Sequence, residues 1–300
     1  MTEPMAALRG YVQFLHERDG VRQVKLSRAA RQGLATLAGK TKAAPVSNPP
    51  VAAVHDRRPA AAPVAPSRPA PVRQPILNPA APVQSEPPIE ITGSSKIEQL
   101  RHLEERAKAC LKCSHLVSRR HNVVFGVGNP EAKLMFIGEA PGEEEDLQGE
   151  PFVGRAGQLL TKMIQAMGLT REQVYIGNIV KCRPDMPPGA PGNRKPTKQE
   201  METCVPYLRA QIEVIKPTVM VALGATAVEG LLGPVGTIGS LRGKFLEFRG
   251  TPLMPTYHPS YLLRNQSNTE KRKVWEDLLA VMERLEMPIS EKQRNFFLKA

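Results

Sequence analysis

"KLMFIGEAPGEEED", residues 133–146, passes from an apolar run through two glycines into four consecutive acids. The run Leu134 to Ile137 is too short for a helix and lacks the alternation of a half-exposed strand, so it reads as a strand buried on both faces. The same signature returns at "VYIGNIVKC" (174–182), "TVMVALG" (218–224) and "TPLMPTYHP" (251–259). Helical periodicity fills the intervals at Ala156–Met167, Lys198–Ile215 and Thr226–Leu232, and Thr269–Leu285 closes the series. Strands alternating with helices predict a central parallel sheet covered on both faces, a three-layer α/β/α arrangement. Sites in such sheets form at the carboxyl ends of the strands. That rule singles out Gly138–Gly142, Asn178 and His258.

The rest of the chain is organised around this core. Apolar residues make up 41% of the 300, but they are unevenly spread: residues 44 to 88 hold thirteen prolines and almost no aromatic or long aliphatic side chains. Such a stretch cannot bury enough apolar surface to offset its ordering entropy, so residues 44–93 are expected to be a disordered linker. Residues 1–43, with Leu8, Tyr11, Val12 and Leu15 at helical spacing, are expected to form a small accessory element. The folded domain is placed at 94–288, opening with a helix capped by Ser95 or its neighbour, and residues 289–300 form a tail.

The formal net charge is +12, with 12 basic against 6 acidic residues in positions 1–95 and 29 against 23 in the remainder. A basic excess in both parts favours a polyanionic partner. The opening residues show neither a basic leader nor a long apolar run, and no segment approaches the roughly 20 apolar residues of a membrane span. The expectation is a soluble, cytoplasmic monomer with no membrane partner.

The reducing interior of a cell favours metal ligation over disulfides for the four cysteines. Cys110 and Cys113 form a C-x2-C pair, while Cys182 falls at a strand end and Cys204 inside a helix. Zinc ribbons use two compact knuckles, and here the second pair is split by 21 residues. Spacing leaves zinc and an iron–sulfur cluster both open, leaning toward the latter. The acids of residues 143–146 bear on the glycine turns beside them, since a phosphate cradle would not tolerate four carboxylates.

With these residues assembled, the stretch from about Ile97 to Leu285 resembles the family 4 uracil-DNA glycosylases. The motifs that carry the resemblance are "GEAPGEEED" with "PFVGRAGQLL", "NIVKCRP", "VALGATA" and "HPSYLLRN". One departure is "DMPPGAPGNR", which lengthens the segment between Cys182 and Cys204 into a longer surface loop. The resemblance implies a uracil-DNA glycosylase-like fold, a [4Fe-4S] cluster on Cys110, Cys113, Cys182 and Cys204, and excision of uracil from single- or double-stranded DNA in the nucleoid. It implies a uracil site lined by Gly138, Glu139 and Ala140. There Glu139 would orient water or offset charge on the sugar, and Glu145 would help exclude the methyl group of thymine. Family 1 relatives carry an aspartate at the position of Ala140, which leaves the general base open.

Further roles follow from side-chain chemistry under that resemblance. Phe152 stacks on the flipped base. The Asn178 amide matches uracil N3–H and O4 and mismatches cytosine. His258 donates to O2 as negative charge develops. Tyr261, Leu262 and Leu263 would wedge into the vacated stack, with Arg264 on phosphate; Arg155, Arg183 and Lys244 are further phosphate candidates. Two readings stand beside the leading one: a glycosylase of broader base choice, and a uracil-sensing iron–sulfur protein without catalysis. In the tail, Gln293, Phe296 and Phe297 look like the short motif that binds bacterial sliding clamps, although the two aromatics would equally satisfy themselves by folding back on the core.

Overall fold

The computed structural model describes residues 88–186 and 192–298. The accessory element at 1–43 and the linker up to residue 87 lie outside the described residues. Six strands form one sheet: β1 (Val127–Gly128), β2 (Leu134–Gly138), β3 (Tyr175–Asn178), β4 (Val219–Leu223), β5 (Leu246–Phe248) and β6 (Thr251–Thr256), in the order β1-β3-β2-β4-β6-β5. The central four strands are parallel, and β1 and β5 add short antiparallel edges. Those edges were absent from the sequence reading.

Ten helices surround the sheet among the described residues: α1 (Lys96–Lys108), α2 (Ser114–Val117), α3 (Glu143–Gln148), α4 (Arg155–Ala166), α5 (Lys198–Ile215), α6 (Ala225–Leu232), α7 (Ile238–Leu241), α8 (Pro259–Arg264), α9 (Asn268–Arg284) and α10 (Glu291–Arg294). Ser95 caps α1, its hydroxyl accepting from the Glu98 N–H at 3.3 Å. Thr197 and Ser267 cap α5 and α9 in the same way.

The three layers follow from strand alternation. Met135 and Ile137 of β2 join Met220, Ala222 and Leu253 on one face, where α1, α5 and α6 contribute Leu103, Leu208 and Val228. Leu134 and Phe136 join Val221 and Met254 on the other, where α4 and α9 contribute Leu160, Ile164 and Leu278. Every residue of β2, β3 and β4 is buried, as the unbroken apolar runs required. Burying each large side chain contributes about 1.5–3 kcal/mol.

Two boundaries need correction. Ile89 and Ile91 pack against the core, and the Glu90 carbonyl accepts from Arg106 at 3.0 Å, so the last residues assigned to the linker belong to the folded domain. The tail is engaged as well: the Gln293 carbonyl accepts from Trp275 Nε1 at 2.6 Å, and the Phe296 ring lies 5.2 Å from that of Trp275.

Candidate active site

A cavity of about 480 Å3 opens where β2, β3, β4 and β6 end, lined by Glu139, Phe152, Asn178, Gly224 and His258 among others. The ladder continues past the strands, with Ile179 N–H donating to the Gly138 carbonyl at 3.0 Å and Val180 N–H to that of Glu139 at 3.1 Å. This pairing holds the glycine turn and the end of β3 side by side. At Gly138 a Cβ would run into both Asn178 Oδ1 and the Phe152 ring, so glycine is required by close approach.

Asn178 is 2% exposed, and its Oδ1 is buried without a hydrogen-bond partner among the described residues. An orphaned buried acceptor costs about 1–3 kcal/mol, so this one is poised for a donor brought by a ligand. Phe152 reaches the same space from a left-handed backbone, φ 55°, a conformation that non-glycine residues adopt at a cost. Its ring lies 5.6 Å from that of His258, tilted by 33°.

His258 follows β6 and caps α8, its Nδ1 accepting from Ser260 N–H at 3.2 Å and lying 2.8 Å from Ser260 Oγ. Burial, reinforced by Arg264, pulls its pKa down to about 4. The ring is therefore neutral near pH 7. Because Nδ1 accepts, the proton resides on Nε2, which makes that nitrogen a donor. Glu139 has the opposite displacement: burial raises its pKa, opposed by a hydrogen bond from Thr226 of α6.

The acidic run resolves into a helix start. Glu143 to Asp146 occupy the first turn of α3, where the helix dipole favours carboxylates. Glu145 uses both oxygens on backbone: Oε2 accepts from Gly142 N–H at 3.1 Å, and Oε1 from Val153 and Gly154 N–H at 3.1 and 3.0 Å. It lines the cavity as the clamp on the Phe152 loop. Buried Asp146 accepts from His121 N–H and from its ring Nδ1, the latter at 2.7 Å.

The segment around α8 corrects part of the wedge assignment. Leu262 is 5% exposed and packs in the core, so it cannot enter a DNA stack. Tyr261 is stacked on Tyr257 at 4.5 Å and donates to Glu270 at 2.9 Å. Arg264 is exposed, and Leu263 is half-buried beside an apolar groove lined by Leu159 and Trp275. Arg155 and Lys244 are exposed, whereas Arg183 is drawn toward Glu143 at 3.6 Å.

The four cysteines come from separate segments, Cys110 and Cys113 between α1 and α2, Cys182 after β3 and Cys204 in α5, and all pack at one core. None forms a disulfide. Cys204 interacts electrostatically with Cys182 and Cys113, and Cys182 with Cys110, so the set converges. Burial pushes the Cys204 thiol up to about 12 and raises Cys182, so these sulfurs ionise only with a cation to stabilise the thiolates. Donors already point at them: Arg120 at the Cys182 sulfur and Lys181 N–H at the Cys204 sulfur, both at 3.2 Å. Nearby, His115, Asp185 and Glu200 bring ligand-like atoms within 4.8 Å of one another. Arg194 pairs with both carboxylates there, occupying the place a cation would take.

Several lining residues were given no role from the sequence: Asn193 and Arg194, which end the lengthened segment, and Ser260 beside His258. Thr226, which holds Glu139, was given none either. The stretches "HPSYLLRN", "VALGATA" and "DMPPGAPGNR" contain these residues, but nothing in them marked these positions individually.

Known proteins are similar to this chain in sequence. The family model for the uracil DNA glycosylase superfamily matches residues 125–279. A type-4 uracil-DNA glycosylase of Thermotoga maritima is 49% identical over 184 residues, covering 60% of this chain and 92% of the relative. The type-4 enzyme of Archaeoglobus fulgidus is 40% identical over 193 residues, 60% of this chain and 94% of the relative. A type-5 enzyme of Pyrobaculum aerophilum is more distant, 30% identical over 185 residues, 51% of this chain and 79% of the relative. By its fold, its strand-end cavity and these matches, the chain belongs to the uracil-DNA glycosylase superfamily, and within it to the type-4 enzymes.

Proposed function

We propose that this chain takes uracil out of DNA by hydrolysing its N-glycosidic bond, leaving an abasic site. The observation that carries the reading is Asn178, which lines a cavity shared with a neutral, Nε2-protonated His258 and whose buried Oδ1 has no hydrogen-bond partner among the described residues. Uracil N3–H would satisfy that oxygen, and uracil O4 would accept from the Asn178 amide nitrogen. Cytosine presents an acceptor at N3 and donors at N4, so it would leave both amide atoms opposed, a buried mismatch of several kcal/mol. Phe152 supports the ring of the extruded base.

As the C1′–N1 bond breaks, its electron pair passes to the base, and negative charge at O2 is met by His258 Nε2–H. Water adds to C1′, and its proton is lost to solvent or to the departing base. Glu139, aimed by Thr226, orients that water and offsets positive charge on the sugar. Glu145 acts at one remove, by fixing the loop that walls the site. Leu263 takes the wedge role and Arg264, Arg155 and Lys244 the phosphate contacts.

The resident group is a [4Fe-4S] cluster on Cys110, Cys113, Cys182 and Cys204, supplying a cross-link rather than a chemical step. A single tetrahedral zinc, with Zn–S of about 2.3 Å, would need sulfurs roughly 3.8 Å apart. Among the described residues the one group of three ligand atoms within 4.8 Å is the His115 set, not the sulfurs. Clamp binding by the tail is a separate proposal. It would draw on Phe297 and Leu298, 41% and 51% exposed, and would have to release Gln293 and Phe296 from Trp275. The main test is incubation with a uracil-bearing oligonucleotide followed by alkali. Cleavage at uracil and at no other base is expected; uracil-dependent binding without an alkali-labile site would overturn the reading in favour of a sensor.

A further inference from the structure

We propose that Lys181 is a positioning residue that couples the cysteine site to base recognition, by holding the main chain of Asn178 from a backbone itself anchored on the Cys204 sulfur. This rests on the uracil-excision reading above. Lys181 is 1% exposed, among the largest fully buried side chains. Its Nζ donates to the Asn178 carbonyl at 3.0 Å and to Gln211 Oε1 at 2.6 Å. Gln211 is itself fully buried, donating to the Phe125 carbonyl at 3.0 Å and to the Tyr175 hydroxyl at 2.9 Å. The main chain of the same lysine is fixed at both ends: its N–H donates to Cys204 Sγ at 3.2 Å, and its carbonyl accepts from Val124 N–H at 2.8 Å.

A buried ammonium carries a heavy desolvation penalty, and a methionine would fill this volume without one. The lysine's hydrogen-bond partners here are neutral acceptors, and the opposite charge comes from the adjoining sulfurs once they are ligated as thiolates. What the ammonium gains is control of one peptide plane. The peptide between Asn178 and Ile179 is held on one side by Ile179 N–H on the Gly138 carbonyl, and on the other by Lys181 on the Asn178 carbonyl. That plane sets the direction in which the Asn178 side chain leaves the main chain, and with it the aim of the unpartnered Oδ1. A disturbance of the cysteine loop thus reaches the base-reading amide through one residue.

The test compares Lys181→Met with Gln211→Met in the full-length, iron-loaded protein. Both remove polar partners from one buried network, but only the first frees the Asn178 carbonyl. Lys181→Met is expected to keep its iron and visible absorbance while its single-turnover excision falls by up to about 100-fold, the scale of a small misplacement. Gln211→Met is expected to lose a similar amount of thermal stability yet excise within about threefold of the parent. Adding Lys181→Met to Asn178→Ala should cost almost nothing more, because the lysine acts through the asparagine. Equal rate losses in the two single variants, full additivity in the double variant, or loss of iron from Lys181→Met would each overturn the coupling. An inactive parent protein would instead overturn the functional reading.

Discussion

The base cavity and the cysteine site satisfy their polar groups in opposite ways. In the cavity, Asn178 Oδ1 is buried without a partner, Phe152 sits in a strained backbone conformation, and burial leaves His258 uncharged. In the cysteine site, Arg120 also donates to the Lys108 and Cys110 carbonyls, so one guanidinium ties the loop before α2 to the Cys182 sulfur. A recognition site keeps polar capacity in reserve for its ligand at some cost in stability. A site built to hold the proposed cluster turns its own donors inward and would gain stability from it. Damage to the two should therefore separate: one lowers the rate of a stable protein, the other the yield of an intact one.

The largest effect is expected at Cys204, set in α5 against the core. Where a metal site is assembled only by folding, its binding free energy is folding free energy. Cys204→Ala should abolish iron retention and most of the soluble yield, measured by iron content and by circular dichroism against temperature. A variant that kept the parental melting temperature without iron would erase the contrast between the sites.

Next comes His258. Its removal should leave folding and DNA binding intact while single-turnover excision drops about 100- to 1000-fold, the usual cost of losing a donor aimed at developing charge. The pH profile sharpens the assignment. With a native pKa of about 4 against an ordinary 6.5, His258 takes up its proton on acidification later in the folded protein than in the unfolded chain. The folded state then binds fewer protons between those values, so this group's contribution to stability is complete above 6.5 and is lost as pH falls toward 4. Its donor form persists through the same window. Burial raises the pKa of Glu139 above its ordinary value while that of His258 is pulled down, so the acidic limb of the rate profile should belong to Glu139. Glu139→Gln should flatten that limb; if the limb persists there and vanishes in His258→Ala, the two roles are exchanged.

The contrast also explains what could be read from the sequence. The four central strands and the long helices were legible because unbroken apolar runs and 3.6-residue periodicity are local signals. Glycine at 138 and histidine before Pro-Ser carried the cavity for the same reason. β1 and β5, of two and three residues, are too short for any period to show, and they exist because a neighbouring edge was open. Lys181 sat in plain view inside "NIVKCRP", but a lysine two residues before an arginine reads as surface charge until the fold encloses it. Leu262 failed as a wedge because one turn of α8 presents both a core and a solvent face, and sequence alone did not say which residue faced inward.

The smallest expected effect is at the tail, where two readings of "QRNFF" divide. Gln293 joins the fold twice, through its carbonyl on Trp275 and through Nε2 on the Ala166 carbonyl at 2.8 Å. Arg272 adds donors to the Arg294 and Phe296 carbonyls at 2.7 and 2.9 Å. Burial of one aromatic ring is worth about 1.5–3 kcal/mol, and in a domain of this size 1 kcal/mol moves the melting temperature by roughly 2–4 °C. Removing residues 293–300 should thus lower the melting temperature by about 3–12 °C while leaving excision from a short oligonucleotide unchanged, since no tail residue lines the cavity. Phe297→Ser should barely move it, because that ring is 41% exposed. If Phe297→Ser also leaves clamp binding unaltered in a pull-down with the purified clamp, the tail serves the fold alone. A clamp complex that forms with the parent and fails with Phe297→Ser would instead give this terminus a second role, as a partner-binding segment.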